Sequence, residues 1–137
     1  MQLDLTELDK AIDSLEESVN LYRSHENDER LALALRDSVI QRFEYTFELC
    51  WKYMQKWIGK NQNPNLSEPV YSRKELFRTA AQLGLIDDPN LWFGYHDARN
   101  ISSHTYSEEN AVLAFSHAAT FFQDARKLYN FLAMHND

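Results

Sequence analysis

The sequence predicts an all-α protein, an antiparallel up-and-down helical bundle of four main helices and a short one. Three observations lead there. Gly and Pro number three each in 137 residues, too few turn formers for many short elements. Apolar residues recur every three or four positions over long stretches, the period of an amphipathic helix. Helix start and stop signals punctuate those stretches where the period breaks. The length fits one domain, expected to run over residues 1–137. Such a chain buries roughly two-thirds of its unfolded surface in one core.

The first helix is expected from about Leu5 to Ser24, with Leu5, Leu8, Ile12, Leu15, Val19 and Tyr22 on one stripe and acids on the other face. His25 to Asp28 is polar and reads as a turn into an antiparallel partner. That second helix is expected to be the longest, from about Glu29 to Ile58. Its stripe is Leu31, Leu35, Val39, Phe43, Phe47, Cys50, Met54 and Trp57, widened by Tyr45, Leu49, Trp51, Tyr53 and Ile58. A helix so broadly apolar is central in a bundle or shared with another subunit. Gly59 is expected to end it with a left-handed cap. Glu44, Glu48 and Lys52, four apart, read as a surface pair, with a site-lining carboxylate as the alternative.

Lys60 to Tyr71 holds two Pro and three Asn without an apolar period, and reads as a loop. Ser72 and Glu75 then form a capping box for a short helix, about Arg73 to Leu83, which Gly84 and Leu85 end as a Schellman motif. Asp88 as cap and Pro89 in the first turn open the next helix, with Leu91, Trp92, Tyr95 and Ala98 facing inward. Ser107, ahead of Glu108 and Glu109, caps a last helix from about Glu108 to Met134. Its stripe is Val112, Phe115, Ala119, Phe122, Ala125, Tyr129 and Leu132.

Composition excludes several classes. With 44% hydrophobic and 13% aromatic residues, the chain folds rather than staying disordered. Cys50 is the only cysteine, so no intrachain disulfide forms, and its apolar surroundings mark a buried structural thiol. Met1 to Lys10 carries three acids and one base with no apolar run behind it, unlike a signal peptide. No stretch approaches the ~18 uninterrupted apolar residues of a membrane span, so a cytoplasmic protein is expected. No Cys/His cluster or paired-His spacing is present, and neither a metal nor another cofactor is expected.

The net charge of −7 counts against indiscriminate nucleic-acid binding. It is unevenly spread: residues 1–30 sum to −6 and residues 52–78 to +4. The second stretch is either a solvated face or a local basic surface for a phosphate-bearing partner.

Chemistry concentrates in Arg99 to Tyr106. Arg99 brings a rigid fork of donors suited to phosphate or carboxylate. Histidine is the side chain whose unperturbed pKa lies nearest physiological pH, which makes His104 a candidate to take up and return a proton. His96, Arg99, Asn100 and Ser103 share a helical face and are candidates to bind the same ligand. On unbroken helix, Arg99 and His104 stand about 140° and about 7.5 Å apart and cannot share a target. The helix therefore ends near Ser102 and Ser103, or two copies of the motif meet across a dimer. In the alternative without function, Arg99 pairs with Asp97 or Glu108, His104 caps a helix end and Tyr106 fills core.

Three blocks sharpen this reading: Phe43 to Lys52, Ser72 through Gly84 to Trp92, and Arg99 to Tyr106. In this order they resemble the nucleotidyltransferase substrate-binding protein family, a branch of the HEPN superfamily. The resemblance implies a HEPN-like bundle, a homodimer, and a small minimal nucleotidyltransferase, commonly encoded nearby, as partner. Many HEPN proteins with Arg-x4–6-His act as metal-independent ribonucleases. Related toxins with Arg-x4-His-x-Tyr are silenced when the partner transfers AMP to the motif tyrosine. The resemblance thus casts Arg99 and His104 as catalytic, Asn100 and Ser103 as orienting groups, and Tyr106 as the modified residue. RNA or a nucleotide would be the ligand. Gly94-Tyr95-His96 departs from the expected pattern, which puts the local helix geometry in doubt. The alternative function is a non-catalytic subunit that helps the transferase hold its substrate.

Overall fold

Five helices in the order α1 (Thr6–Ser24), α2 (Glu29–Gln62), α3 (Arg73–Leu83), α4 (Pro89–Ser102) and α5 (Glu108–Met134) make up the protein. They were defined in a computed structural model that describes residues 2–62 and 72–136. The fold is all-α, as the apolar period requires.

Cross-helix contacts give the directions. Tyr53 donates from its hydroxyl to the Asp4 carbonyl, Arg42 to that of Ser14, and Tyr45 to Glu7, so α1 and α2 run antiparallel. Arg126, late in α5, pairs with Asp9 and Asp13 of α1, while Phe115, early in α5, packs on Tyr22. Helix α5 is therefore antiparallel to α1. It is antiparallel to α4 as well, since Trp92 and Tyr95 meet Phe121 while the α4 C-terminus leads directly into the α5 N-terminus. The result is an up-and-down bundle of α1, α2, α4 and α5, with short α3 packed on α2 and α4.

Phe43, Phe47, Phe77 and Phe121 are fully buried in the core, with Leu8, Ile12, Leu15, Met54 and Leu128. Each such side chain contributes about 1.5–3 kcal/mol through removal from water. Cys50 is buried, and burial pushes its thiol well above the usual range, as fits an inert structural cysteine. Thr46 enters the core because its hydroxyl donates to the Arg42 carbonyl at 2.7 Å.

The caps read from sequence are present. Ser72 accepts from the Glu75 amide and Glu75 accepts from the Ser72 amide, the reciprocal capping box. Gly84 takes φ 90°, and the Leu85 amide donates to the Ala80 carbonyl, closing the Schellman motif. Asp88 accepts from the Asn90 amide with Pro89 in the first turn, and Ser107 accepts from that of Asn110.

Four expectations need correction. Gly59 does not end α2, which continues to Gln62, because Gly84 is the only positive-φ residue among those described and Gly59 remains helical. The rest of the expected loop, residues 63–71, lies outside the described residues. Tyr45, Leu31 and Leu91 are exposed rather than inward. On α5 the expected stripe is one residue off. The buried face is Ala111, Ala114, Ala118, Phe121, Ala125, Leu128 and Leu132, with Val112 exposed and Phe115, Phe122 and Tyr129 half-buried at its flanks. Four alanines stand on this face beside Phe121, Leu128 and Leu132, so small side chains mark the seam as well as large ones. Gly94 does not distort α4, which is continuous from Pro89 to Ser102.

Candidate functional site

Helix α4 ends where two serines turn on their own helix. The Ser102 hydroxyl donates to the Arg99 carbonyl at 2.7 Å and that of Ser103 to the Asn100 carbonyl at 3.1 Å. Such back-bonding competes with the helical ladder and favours a helix end. The His104 amide then donates to the Ile101 carbonyl at 2.8 Å, a tightened final turn. On the far side, Asn110 Nδ2 donates to the His104 carbonyl at 3.0 Å. The connection between α4 and α5 is thus fastened at both ends.

This turn leaves His104 exposed and Tyr106 88% exposed, their rings nearly perpendicular with centroids 6.1 Å apart. Tyr106 therefore does not fill core. A phenol and an imidazole side by side on a fastened turn are open to a macromolecular substrate or to a modifying enzyme.

Arg99 reaches from α4 to the carboxylates of α2. Its Nη1 lies 2.9 Å from Glu44 and 3.4 Å from the Ser102 hydroxyl. Its Nε lies 3.4 Å from Glu48, close enough for attraction but outside hydrogen-bond alignment, and it is buried without another partner. Neither Asp97 nor Glu108 takes Arg99: Glu108 is held by Arg36 at 2.7 Å. Glu44 and Glu48 are thus the carboxylates that line the site, and the surface-pair reading with Lys52 is replaced. Glu48 also binds Arg73 of α3, whose Nη2 donates at 3.0 Å. The Arg73 guanidinium lies over Trp51, 4.6 Å from its centroid. Sequence reading passed over Arg73 because its partner lies 25 residues earlier in the chain.

His96 sits half-buried beside this group, stacked on Phe47 and edge-on to Phe77. Burial and then nearby Arg73 hold its pKa below the usual imidazole value, and its buried Nδ1 has no partner. A neutral ring results, which suits packing better than phosphate binding. Asn100 and Ser103 are exposed, so the structure brings His96 and Arg99 together but leaves these two at the surface. Among the described residues, no group of three or more His, Cys, Asp or Glu is arranged to hold a metal. None of the helices is long and apolar enough to cross a membrane.

The all-α bundle is the fold of a substrate-binding domain of the kind that accompanies nucleotidyltransferases. The chain belongs to the family described as nucleotidyltransferase substrate binding protein like, which matches residues 3–134. A Haemophilus influenzae protein named as a probable ribonuclease HepT is 30% identical over 139 residues, covering 98% of this chain and 95% of that protein. The solved structure of a Haemophilus influenzae protein, described as showing the fold of a substrate binding domain of a nucleotidyltransferase, superposes with a TM-score of 0.87. It is 30% identical and covers 95% of this chain and 99% of its own. A solved Thermus thermophilus protein matches with a TM-score of 0.63 and 29% identity, over 86% of this chain and 98% of that one.

Proposed function

We propose that the protein is a metal-independent endoribonuclease toxin, silenced by a minimal nucleotidyltransferase that transfers AMP to Tyr106. The observation that carries this reading is the fastened turn that holds His104 and Tyr106 exposed, 6.1 Å apart, immediately beyond the helix end bearing Arg99. The likeness to a probable ribonuclease supports it.

RNA carries its own nucleophile, so the step needs no metal. His104 takes the proton from a 2′-hydroxyl, the oxygen attacks the adjacent phosphorus, and the bond to the 5′-oxygen breaks. A second copy's His104 returns a proton to that leaving oxygen. Each such transfer is worth ~10²–10⁴-fold. Arg99 steadies the charge that develops on the phosphate. Asn100 and Ser103 orient the strand at the surface. A homodimer is favoured by the exposed Leu31 and Leu33 of α2 and Val112 and Leu113 of α5, which would be covered by a second copy. Silencing follows when the Tyr106 hydroxyl attacks the α-phosphorus of ATP and pyrophosphate leaves. The new phosphodiester then competes with RNA for the cation.

Purified protein incubated with RNA and a chelator should leave 2′,3′-cyclic phosphate ends, and a His104→Ala protein should leave none. Equal cleavage by both would sink the reading. One observation favours the second function, a non-catalytic subunit that holds the transferase's substrate: Arg99 is already matched by Glu44 and Glu48. That reading predicts co-purification with the transferase and no cleavage at any protein concentration.

A further inference from the structure

We propose that Lys74 and Arg78 of α3 form a second phosphate-holding patch that carries RNA past the Arg99 site; the inference rests on the ribonuclease reading. Both side chains are exposed, and both lie over one ring, that of Phe93 on α4, at 5.7 and 5.4 Å from its centroid. They stand four apart on one helix, a like-charge spacing that disfavours the helix. Neither has an ion-pair partner among the described residues, although the chain carries 21 acids against 14 Lys and Arg. Glu75, the acid between them, is engaged in the capping box. Asp97, one turn along α4 from Phe93, is exposed and makes no ion pair with either. Arg36, Arg73, Arg99 and Arg126 are matched by carboxylates, whereas Lys74 and Arg78, like Lys10, Arg23, Arg30, Lys52 and Lys56, make no ion pair among the described residues. What distinguishes these two is that both converge on one ring. The Phe93 ring offsets part of that repulsion and holds the two charges together at the surface without neutralising them.

The patch adjoins the motif through Glu48, which both Arg73, the residue before Lys74 on α3, and Arg99 approach. Phe93 lies about 9 Å along the α4 axis from Arg99, on a face turned about 120° from it. A nucleic-acid strand covers that in roughly three stacked nucleotides at ~3.4 Å each. Arg73 and Trp51, packed on the same side, close the gap between the two ends with a cation and an aromatic plane. Isolated lysine and arginine heads read phosphate, not base, so the patch adds affinity without sequence preference.

The probe is a short RNA carrying 2′-O-methyl groups throughout, which lacks the nucleophile and reports binding whether or not the protein cleaves. In anisotropy titrations, Lys74→Gln/Arg78→Gln should bind about tenfold more weakly at low salt, with the slope of log affinity on log salt reduced by about 1.4. Lys74→Arg/Arg78→Lys should retain binding, and Arg126→Gln, whose partners are Asp9 and Asp13 of α1, should leave it unchanged. Both altered residues are exposed, and unchanged helical circular dichroism confirms folding. Equal affinity and slope for the double variant overturn the patch. Displacement of the RNA by poly-glutamate at matched charge assigns the face to an acidic protein and overturns it too. Absence of cleavage with this binding intact would defeat the ribonuclease reading alone.

Discussion

Arg99 Nη1 lies 2.9 Å from the Glu44 carboxylate, so the cation of the motif on α4 is anchored to α2. Glu48, one turn further along α2, also approaches it. Replacing Arg99 with Ala leaves two carboxylates one turn apart, with Arg73 as their remaining cation. Urea unfolding should show Arg99→Ala destabilised by about 1–2 kcal/mol, after allowance for partial solvent screening. Glu44→Gln relieves that repulsion. The double variant should therefore lose less stability than the two single variants together. Additive losses would mean that the pair is not coupled.

Tyr106 bears no packing role at 88% exposure. Tyr106→Phe should unfold within about 0.5 kcal/mol of the parent protein. Co-expressed with the transferase, the parent should gain the mass of AMP on the peptide containing Tyr106, and Tyr106→Phe should not. Modification persisting in the variant would place the acceptor elsewhere.

His96 supplies a pH dependence whose sign is fixed by its depressed pKa. The unfolded chain protonates this residue near pH 6.5, before the folded protein does. Stability is thus fully present above that value and falls as pH drops toward the folded pKa. Chemical unfolding between pH 7.5 and 6 should show this decline, and His96→Gln should flatten it. An unchanged slope in the variant would show that another group titrates there.

Gly59 lies inside α2 with nothing within 4 Å of where a Cβ would stand. Gly59→Ala should raise stability by about 0.5–1 kcal/mol, read as a higher urea midpoint with the same m-value. A loss would mean that the α2 C-terminus requires glycine after all.

The boundaries of α3 and α5 and every serine, aspartate and glycine cap were legible because each depends on residues within one turn of chain. The break after Ser102 was legible for the same reason. What stayed hidden was set across helices. Arg99 found Glu44 and Glu48 rather than its chain neighbours, and Arg73 joined through a carboxylate on another helix. The α5 seam was misread because hydrophobic size was taken as the sign of burial, whereas Ala114 and Ala118 are buried as well. Gly59 was overread as a stop, since helical glycine and capping glycine are indistinguishable without backbone angles.

Phe47 touches Phe77, Trp92, His96 and Phe121, so a single ring on α2 meets α3, α4 and α5 directly behind Glu44 and Glu48. The packing hub and the wall of the site are therefore consecutive turns of one helix. If the proposed ribonuclease is toxic, a genetic screen for loss of that toxicity would recover changes at Phe47 alongside changes at Arg99, and phenotype would not tell them apart. Soluble yield would: Phe47→Ala forfeits ~3–5 kcal/mol and depletes folded protein, whereas a lesion confined to the turn leaves abundance intact. Inheritance at this locus is consequently constrained twice, once by folding and once by chemistry, on overlapping residues.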